Sequence, residues 1–293
     1  MSSYIKQLQD QLNTPKWLID NILFEGLTGS VCYGVSNDTS DMDIVGFCIP
    51  PKELIFPHLA GEIFGFGTQL KRFDVFQQHR IEKDRKTYDF TIYSIVKFFQ
   101  LVMENNPNMI DALFLPRNCV LHSTHIYEHL RDNRKIFLHK GSWFKFRGYA
   151  YSQLSKIKSK SNASNPKRAE TIEKFGYDTK FAYHIVRLLL EVEQIMAEGD
   201  LDLQRNSEIL KSIRKGEWKL TDLESWFDSK EKALEGLYTT SKLPERPREN
   251  KIKALLMECL EMHYQDLSSI IKVAPEVNSI VHDLELLIEK YKV

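Results

Sequence analysis

The sequence predicts an α+β protein in which a small α/β domain is followed by an all-helical domain. Three observations carry this. Runs with strand character, Ile22 to Leu27, Met42 to Ile49 and Thr87 to Tyr93, all lie in the first third of the chain. From Ser94, apolar residues recur at helical spacing as Ile95, Phe98, Phe99, Val102 and Met103. After Pro116 the helical pattern runs to the end, with breaks near 138–142, 160–167, 199–201 and 240–250. At 293 residues, and roughly 150 residues per domain, two domains are expected, 1–118 and 119–293.

Residues 4–13 and 14–21 read as short helices, with Asn13-Thr14-Pro15 supplying a cap and a first-turn proline. After the strand Ile22–Leu27, Thr28-Gly29-Ser30 turns into a short helical stretch, and residues 36–40 form a loop. Met42 to Ile49 is a nearly continuous apolar strand that Pro50-Pro51 stops. Residues 61–77 are expected to hold one more strand, and Gln78 to Lys86 a charged, mobile loop before the strand Thr87–Tyr93. Ser94 can cap the first long helix, and Asn105-Asn106-Pro107-Asn108 ends it. No internal repeat or coiled-coil pattern is present.

Composition narrows the class. With 42% hydrophobic and 27% charged residues, wholesale disorder is excluded. No run of about 18 apolar residues exists, so no membrane span is expected. Residues Met1 to Gln7 lack an apolar signal core, so a cytoplasmic protein is expected. Cys32, Cys48, Cys119 and Cys259 have no paired short spacing and read as buried thiols in a reducing compartment. His122, His125 and His129 recur at helical spacing, but no carboxylate or thiol is evidently placed beside them, and zinc is not expected.

Lys plus Arg equals Asp plus Glu, 40 each, yet the charge is segregated. Arg131 to Arg187 holds 14 Lys/Arg against 4 Asp/Glu, a net of +10, and the remainder carries −10. Such a block is a footprint for phosphates or nucleic acid, or else a solvated helix face. Lys156, Lys158, Lys160, Lys167 and Arg168, around the polar loop 159–166, are the candidate nucleic-acid contacts. Lys145, Arg147, Tyr149 and Tyr151 interleave cations with aromatics, which suits RNA contact or an amphipathic helix with snorkelling cations.

The chemistry concentrates at Gly29-Ser30, followed after ten residues by Asp41-Met42-Asp43-Ile44. Asp41 and Asp43 are two apart on an expected strand, so their carboxylates share a face. Two like charges this close need a counter-ion, and hard oxygen donors suit Mg²⁺ (or Mn²⁺) shared with substrate phosphates. A Gly-Ser turn entering a helix offers N–H groups and a hydroxyl to a triphosphate. Two-metal chemistry needs a third carboxylate. Asp89, in the strand Thr87–Tyr93, is the candidate, with Asp74 the runner-up. Gly176-Tyr177-Asp178-Thr179-Lys180 interrupts and restarts a helix on which Lys180, His184 and Arg187 could share a cationic face. Core histidine and ion-pair roles compete with that reading. Tyr177 and Tyr183 could stack a base or belong to a core. No Walker loop or Ser-His-Asp ordering is present.

Gly29-Ser30, ten residues and Asp41-x-Asp43 together resemble the signature of the DNA polymerase beta nucleotidyltransferase superfamily. Longer text narrows the resemblance: Gly29 to Gly34, Ser40 to Gly46, Pro50-Pro51, Lys97-Phe98, Asn106-Pro107-Asn108 and Leu113-Phe114. Gly176 to Lys180, Ala182-Tyr183-His184, Arg187-Leu188-Leu189 and Leu243-Pro244 add to it. Over residues 22 to 250 the chain resembles the RNA-repair-pathway polymerase beta family of bacteria and phages.

That resemblance implies a mixed-sheet nucleotidyltransferase domain with a helical partner. The reaction it implies moves a nucleotidyl group from an NTP to a hydroxyl, with Mg²⁺, releasing pyrophosphate. Asp41 and Asp43 match the metal pair, Asp89 the third catalytic carboxylate, and Gly29 and Ser30 the phosphate turn. Tyr33, Tyr177, Lys180, His184 and Arg187 are the further NTP-binding candidates. Val31-Cys32 departs from the small or basic residues usual there, a change expected to alter the triphosphate contacts without abolishing binding. RNA is the expected acceptor. A protein hydroxyl, or nucleotide binding without turnover, are the rival readings.

Overall fold

The computed structural model describes residues 3–36, 40–56, 72–159 and 166–265. Five strands form one mixed sheet in the order β3-β4-β2-β1-β5. They are β1 (Ile22–Leu27), β2 (Met42–Cys48), β3 (Val75–Lys83), β4 (Lys86–Ser94) and β5 (Val120–Ser123). Strands β2 and β4 run parallel, and the other pairings are antiparallel. The expected α+β class is what the chain adopts.

Each face of the sheet is covered because alternate residues are apolar. On one face, Phe47 meets Phe98 of α3 (Ile95–Met103) with ring centroids 4.9 Å apart, and Phe24 stacks at 4.0 Å on Tyr127 of α5 (His125–Asp132). Ser94 caps α3 as expected, its side chain accepting from Lys97 N. The other face takes the N-terminal segment. Glu25, fully buried on β1, accepts hydrogen bonds from Ser3 Oγ (2.7 Å), Tyr4 N (2.7 Å) and Ile5 N (3.1 Å). It thereby holds the first turn of α1 (Tyr4–Gln7). The helices expected over 4–13 and 14–21 shrink to this turn and two 3₁₀ turns, Gln9–Gln11 and Ile19–Asn21. Helices this short persist only where tertiary contacts hold them.

Three further elements depart from expectation. The charged segment 78–86 is no loop: β3 and β4 form a hairpin whose central residues Asp84 (φ +50°) and Arg85 (φ +63°) make a mirror-image two-residue turn. As the sheet's edge, β3 carries polar side chains, and that disguised it. Helix α4 (Pro107–Leu113) follows at once after Asn106, with the proline in its first turn. Strand β5 interrupts the helical reading and pairs with β1, so His122 lies on a strand and the three histidines share no helix face. Residues 57–71, where part of another strand was expected, lie outside the described residues, so that part of the expected 61–77 strand is not described.

The helical part centres on α8 (Thr179–Glu198), buried among α6 (Ser142–Lys158), α7 (Pro166–Phe175), α9 (Ser207–Arg214) and α10 (Leu220–Thr240). Asp178 caps α8, its carboxylate accepting from Lys180 N (2.8 Å) and Phe181 N (3.3 Å). Gly199 ends it at φ +63°. The last described helix, α11 (Glu249–Tyr264), returns to pack on α3 and α5, and Tyr264 donates at 2.5 Å to Pro50 O, just before the short α2 (Lys52–Ile55). Both β5 and α11 lie beyond residue 118 in sequence yet belong with the sheet in space.

Among the described residues no helix is long and apolar enough to cross a membrane. The four cysteines are free and buried.

Candidate active site

The parallel register of β2 and β4 places Asp43 opposite Asp89. Paired residues on adjacent strands point to one face, so the two carboxylates stand side by side. Asp41 sits one residue before β2 begins. Asp74 is at the other end of β4: its carbonyl accepts from Ser94 N, roughly 15 Å along the strand from Asp89.

Gly29 leaves β1 beside them at φ +63°, a left-handed conformation that glycine adopts at little cost. A Cβ there would lie 2.2 Å from Asp43 Oδ2, so the missing side chain is the space the carboxylate fills. Residues 29–34 form turns rather than the expected helix, closed by Gly34 N to Val31 O (3.0 Å) and Val35 N to Ser30 O (2.9 Å). The Cys32 thiol donates to Gly29 O within the turn. Ser30 and Gly29 both open onto the cleft.

The cleft has a volume of about 890 Å³. Asp41, Asp43 and Asp89 line its sheet side, while Lys180, His184 and Tyr183 of α8 line the other. Lys211, Arg214 and Lys215, at the end of α9, complete that wall with Arg168 of α7. Burial pushes the Asp43 carboxyl above its ordinary range; Lys180 opposes this, and Asp89 and Asp41 reinforce it. Burial holds His184 well below its ordinary range, and Arg187, Lys180, Arg168 and Arg214 push the same way, so its imidazole is neutral. His184 Nδ1 has no hydrogen-bond partner among the described residues.

Three oxygen donors fit a hard divalent cation in kind. Asp43 is a half-buried carboxylate beside two others, with no hydrogen bond to its side chain from the described residues, and a cation would relieve that. Asp89 is engaged elsewhere. Its Oδ1 accepts from Arg80 N at 2.7 Å, at a bulge where Arg80 takes φ +59°, and its Oδ2 is 3.6 Å from His79 Nδ1. Accordingly, no three His, Cys, Asp or Glu side chains among the described residues converge on one point.

Other candidates sit away from the cleft. Arg187 is 2% exposed and bonded to Asp111, to Tyr33 Oη and, at 3.4 Å, to Glu191. Tyr33 donates to Asp111 Oδ2 at 2.6 Å. Burial lifts the carboxyls of Asp111 and Glu191 above their ordinary range. These groups join the Gly29–Val35 turn, α4 and α8 beneath the site, and neither Tyr33 nor Arg187 lines the cleft. Seven residues is nearly two turns, so Arg187 keeps the side of α8 that carries Lys180 but sits about 10 Å further along it, where Asp111, Tyr33 and Glu191 enclose it. Tyr177 is buried, its hydroxyl donating to Trp218 O at 2.7 Å, and it lines a separate pocket of about 120 Å³.

The basic segment is largely neutralised by the acidic remainder of the chain. Lys135 and Arg134 reach Asp200, Lys140 reaches Glu245, Lys145 reaches Glu104, and Arg147 reaches Glu231. Of the nucleic-acid candidates, Lys158 is 3.4 Å from Glu224, Lys156 lies over the Phe181 ring, and Arg168 pairs with Asp178. Lys160 and the side chain of Lys167 lie outside the described residues. Lys211, Arg214 and Lys215 were missed by sequence reasoning. Buried Leu210 and Ile213 mark α9 as amphipathic, but nothing local aims its cations at a cleft.

Residues 4–258 match the RNA repair pathway DNA polymerase beta family. The chain belongs to that family. It is therefore a polymerase beta-type nucleotidyltransferase by family. No curated protein matches the chain. Among solved structures, a nucleotidyltransferase-like protein from Exiguobacterium sibiricum is similar at 10% identity and a TM-score of 0.28, over 80% of this chain and 73% of that one. That likeness is too distant to carry an argument.

Proposed function

We propose that this family member moves a nucleotidyl group from an NTP to a hydroxyl at an RNA end. The acceptor oxygen bonds to the α-phosphorus, the bond to the β-phosphate bridge breaks, and pyrophosphate leaves. The observation that carries this is Asp43 and Asp89 in register on one side of the cleft, with Lys180 facing them.

Asp41 and Asp43, with Asp89 once released from Arg80, would hold Mg²⁺ or Mn²⁺. Such an ion lowers the pKa of an attacking hydroxyl and stabilises charge on the leaving oxygen. The chain's own groups do the rest. Gly29 and Ser30 receive the triphosphate, and Lys180 balances its charge across the cleft. Neutral His184 offers a hydrogen bond rather than charge. The family's association with RNA repair favours RNA as acceptor.

The test is incubation with each α-labelled NTP, Mg²⁺ and total RNA, in parallel with cell protein. Nuclease-sensitive label that is lost in Asp43→Asn is expected. Protease-sensitive label would make a protein the acceptor, and absence of label with either acceptor would leave nucleotide binding alone.

A further inference from the structure

The turn that carries Gly29 and Ser30 is not held by the sheet alone. Its far end, Val35, accepts a hydrogen bond from Arg214 Nη1 at 2.6 Å, across 179 residues of sequence. Val35 N in turn donates to Ser30 O at 2.9 Å, so the position of Val35 sets that of Ser30. Gly34, at φ +68°, lets the turn approach Ser207, the first residue of α9; a Cβ there would come within 3.4 Å of Ser207 Cβ. Arg214 is the last residue of the same helix.

Arg187 also reaches this turn, with its guanidinium 4.4 Å from the Tyr33 ring centroid, but Asp111 and Glu191 absorb its charge. Arg214 differs. It makes no ion pair among the described residues, stands 5.3 Å from the Tyr183 ring centroid and lines the cleft. One N–H holds the turn, and the guanidinium keeps both further donors and an unneutralised charge.

We propose that Arg214 is a positioning residue for nucleotide binding: it locks the Gly29–Val35 turn onto α9, so that the helical part of the chain sets the site where the triphosphate lands. This rests on the function proposed above and adds a residue on which that function depends. It commits the two halves of the chain to bind nucleotide together.

The experiment is a double-mutant cycle on NTP affinity, measured calorimetrically with Mg²⁺ for wild type, Arg214→Gln, Ser30→Ala and the pair. Each single change is expected to weaken binding about tenfold or more. The pair is expected to be little weaker than the worse single variant, because both act through the same turn. Arg214→Lys, which keeps the charge and a donor, is expected to recover part of the loss. In parallel, hydrogen exchange at the Val35 amide is expected to quicken in Arg214→Gln.

Independent, multiplying effects in the cycle would overturn the coupling, as would unchanged exchange at Val35. A wild type that binds NTP yet labels neither RNA nor protein would sink the proposed reaction and leave the coupling to the cycle. Transfer with a multiplying cycle would sink the coupling alone. No NTP binding by the wild type would overturn the coupling as well.

Discussion

Asp43 on β2 and Asp89 on β4 occupy matched positions of a parallel strand pair, yet only Asp89 has hydrogen-bond support for its charge. Asp43 is left with burial and two neighbouring carboxylates, partly offset by Lys180. Its proton is therefore bound more tightly in the folded chain than in the unfolded one. Folding stability then falls as pH rises from the unfolded carboxylate pKa through the raised folded value, and levels off above it. Asp43→Asn removes this penalty. In metal-free buffer its Tm should exceed that of wild type, by a margin that grows with pH across that window and then stays constant. Its transfer activity should fall by roughly 10²-fold or more, since several kcal/mol of charge stabilisation is lost. Thermal melts at several pH values check the first part and labelled-NTP transfer the second. A Tm below wild type at neutral pH would contradict the electrostatics.

Gly29→Ala should be costly on two counts. The φ of +63° is unfavourable for alanine by about 1–2 kcal/mol, and its Cβ would meet Asp43 Oδ2. The carboxylate must move, so activity should fall further than stability. Urea unfolding and transfer assays on the same variant separate the two. Equal losses would mean that the turn does not set the position of Asp43.

Arg187→Met should behave as a folding variant. Removing the cation leaves Asp111, Glu191 and Tyr33 buried without their partner, at a cost of about 3–5 kcal/mol. Nucleotide affinity per folded molecule should change little compared with Lys180→Met, which removes a charge from the cleft itself. Denaturant midpoints and NTP titration distinguish these outcomes.

Neutralising Lys156, Lys158 and Lys160 together should weaken RNA binding and lower the salt slope by up to roughly 0.7 for each phosphate that is no longer neutralised. Lys158 already faces Glu224, so it should contribute less than a free cation. Replacing Lys211 and Lys215 offers the comparison. If these change the slope and the first set does not, the acceptor runs along α9.

Much of this organisation was legible because it is local. Alternating and helical periods, the Ser94 cap and the Gly29-Ser30 to Asp41-x-Asp43 spacing are short-range consequences of backbone geometry. What failed was also physical. The polar edge strand β3 looked like a loop because an edge strand needs no second apolar face. Arg187 looked like a ligand because a charge in a helix carries no mark of whether it faces solvent, substrate or another charge.

The sequence by itself determined the α+β class, the family and the acidic pair Asp41–Asp43 with its glycine turn. The acidic pair and its turn are written within 15 residues, Gly29 to Asp43, and the class and the family in short motifs and periods strung along the chain. Tertiary structure alone set Asp89 beside Asp43 and Asp74 at the far end of β4, sent Arg187 and Tyr33 into the interior, and brought Arg214 to Val35 across 179 residues. Strand register and helix docking are settled by burying apolar faces across the whole chain, and no local spacing encodes which distant side chains that burial brings together.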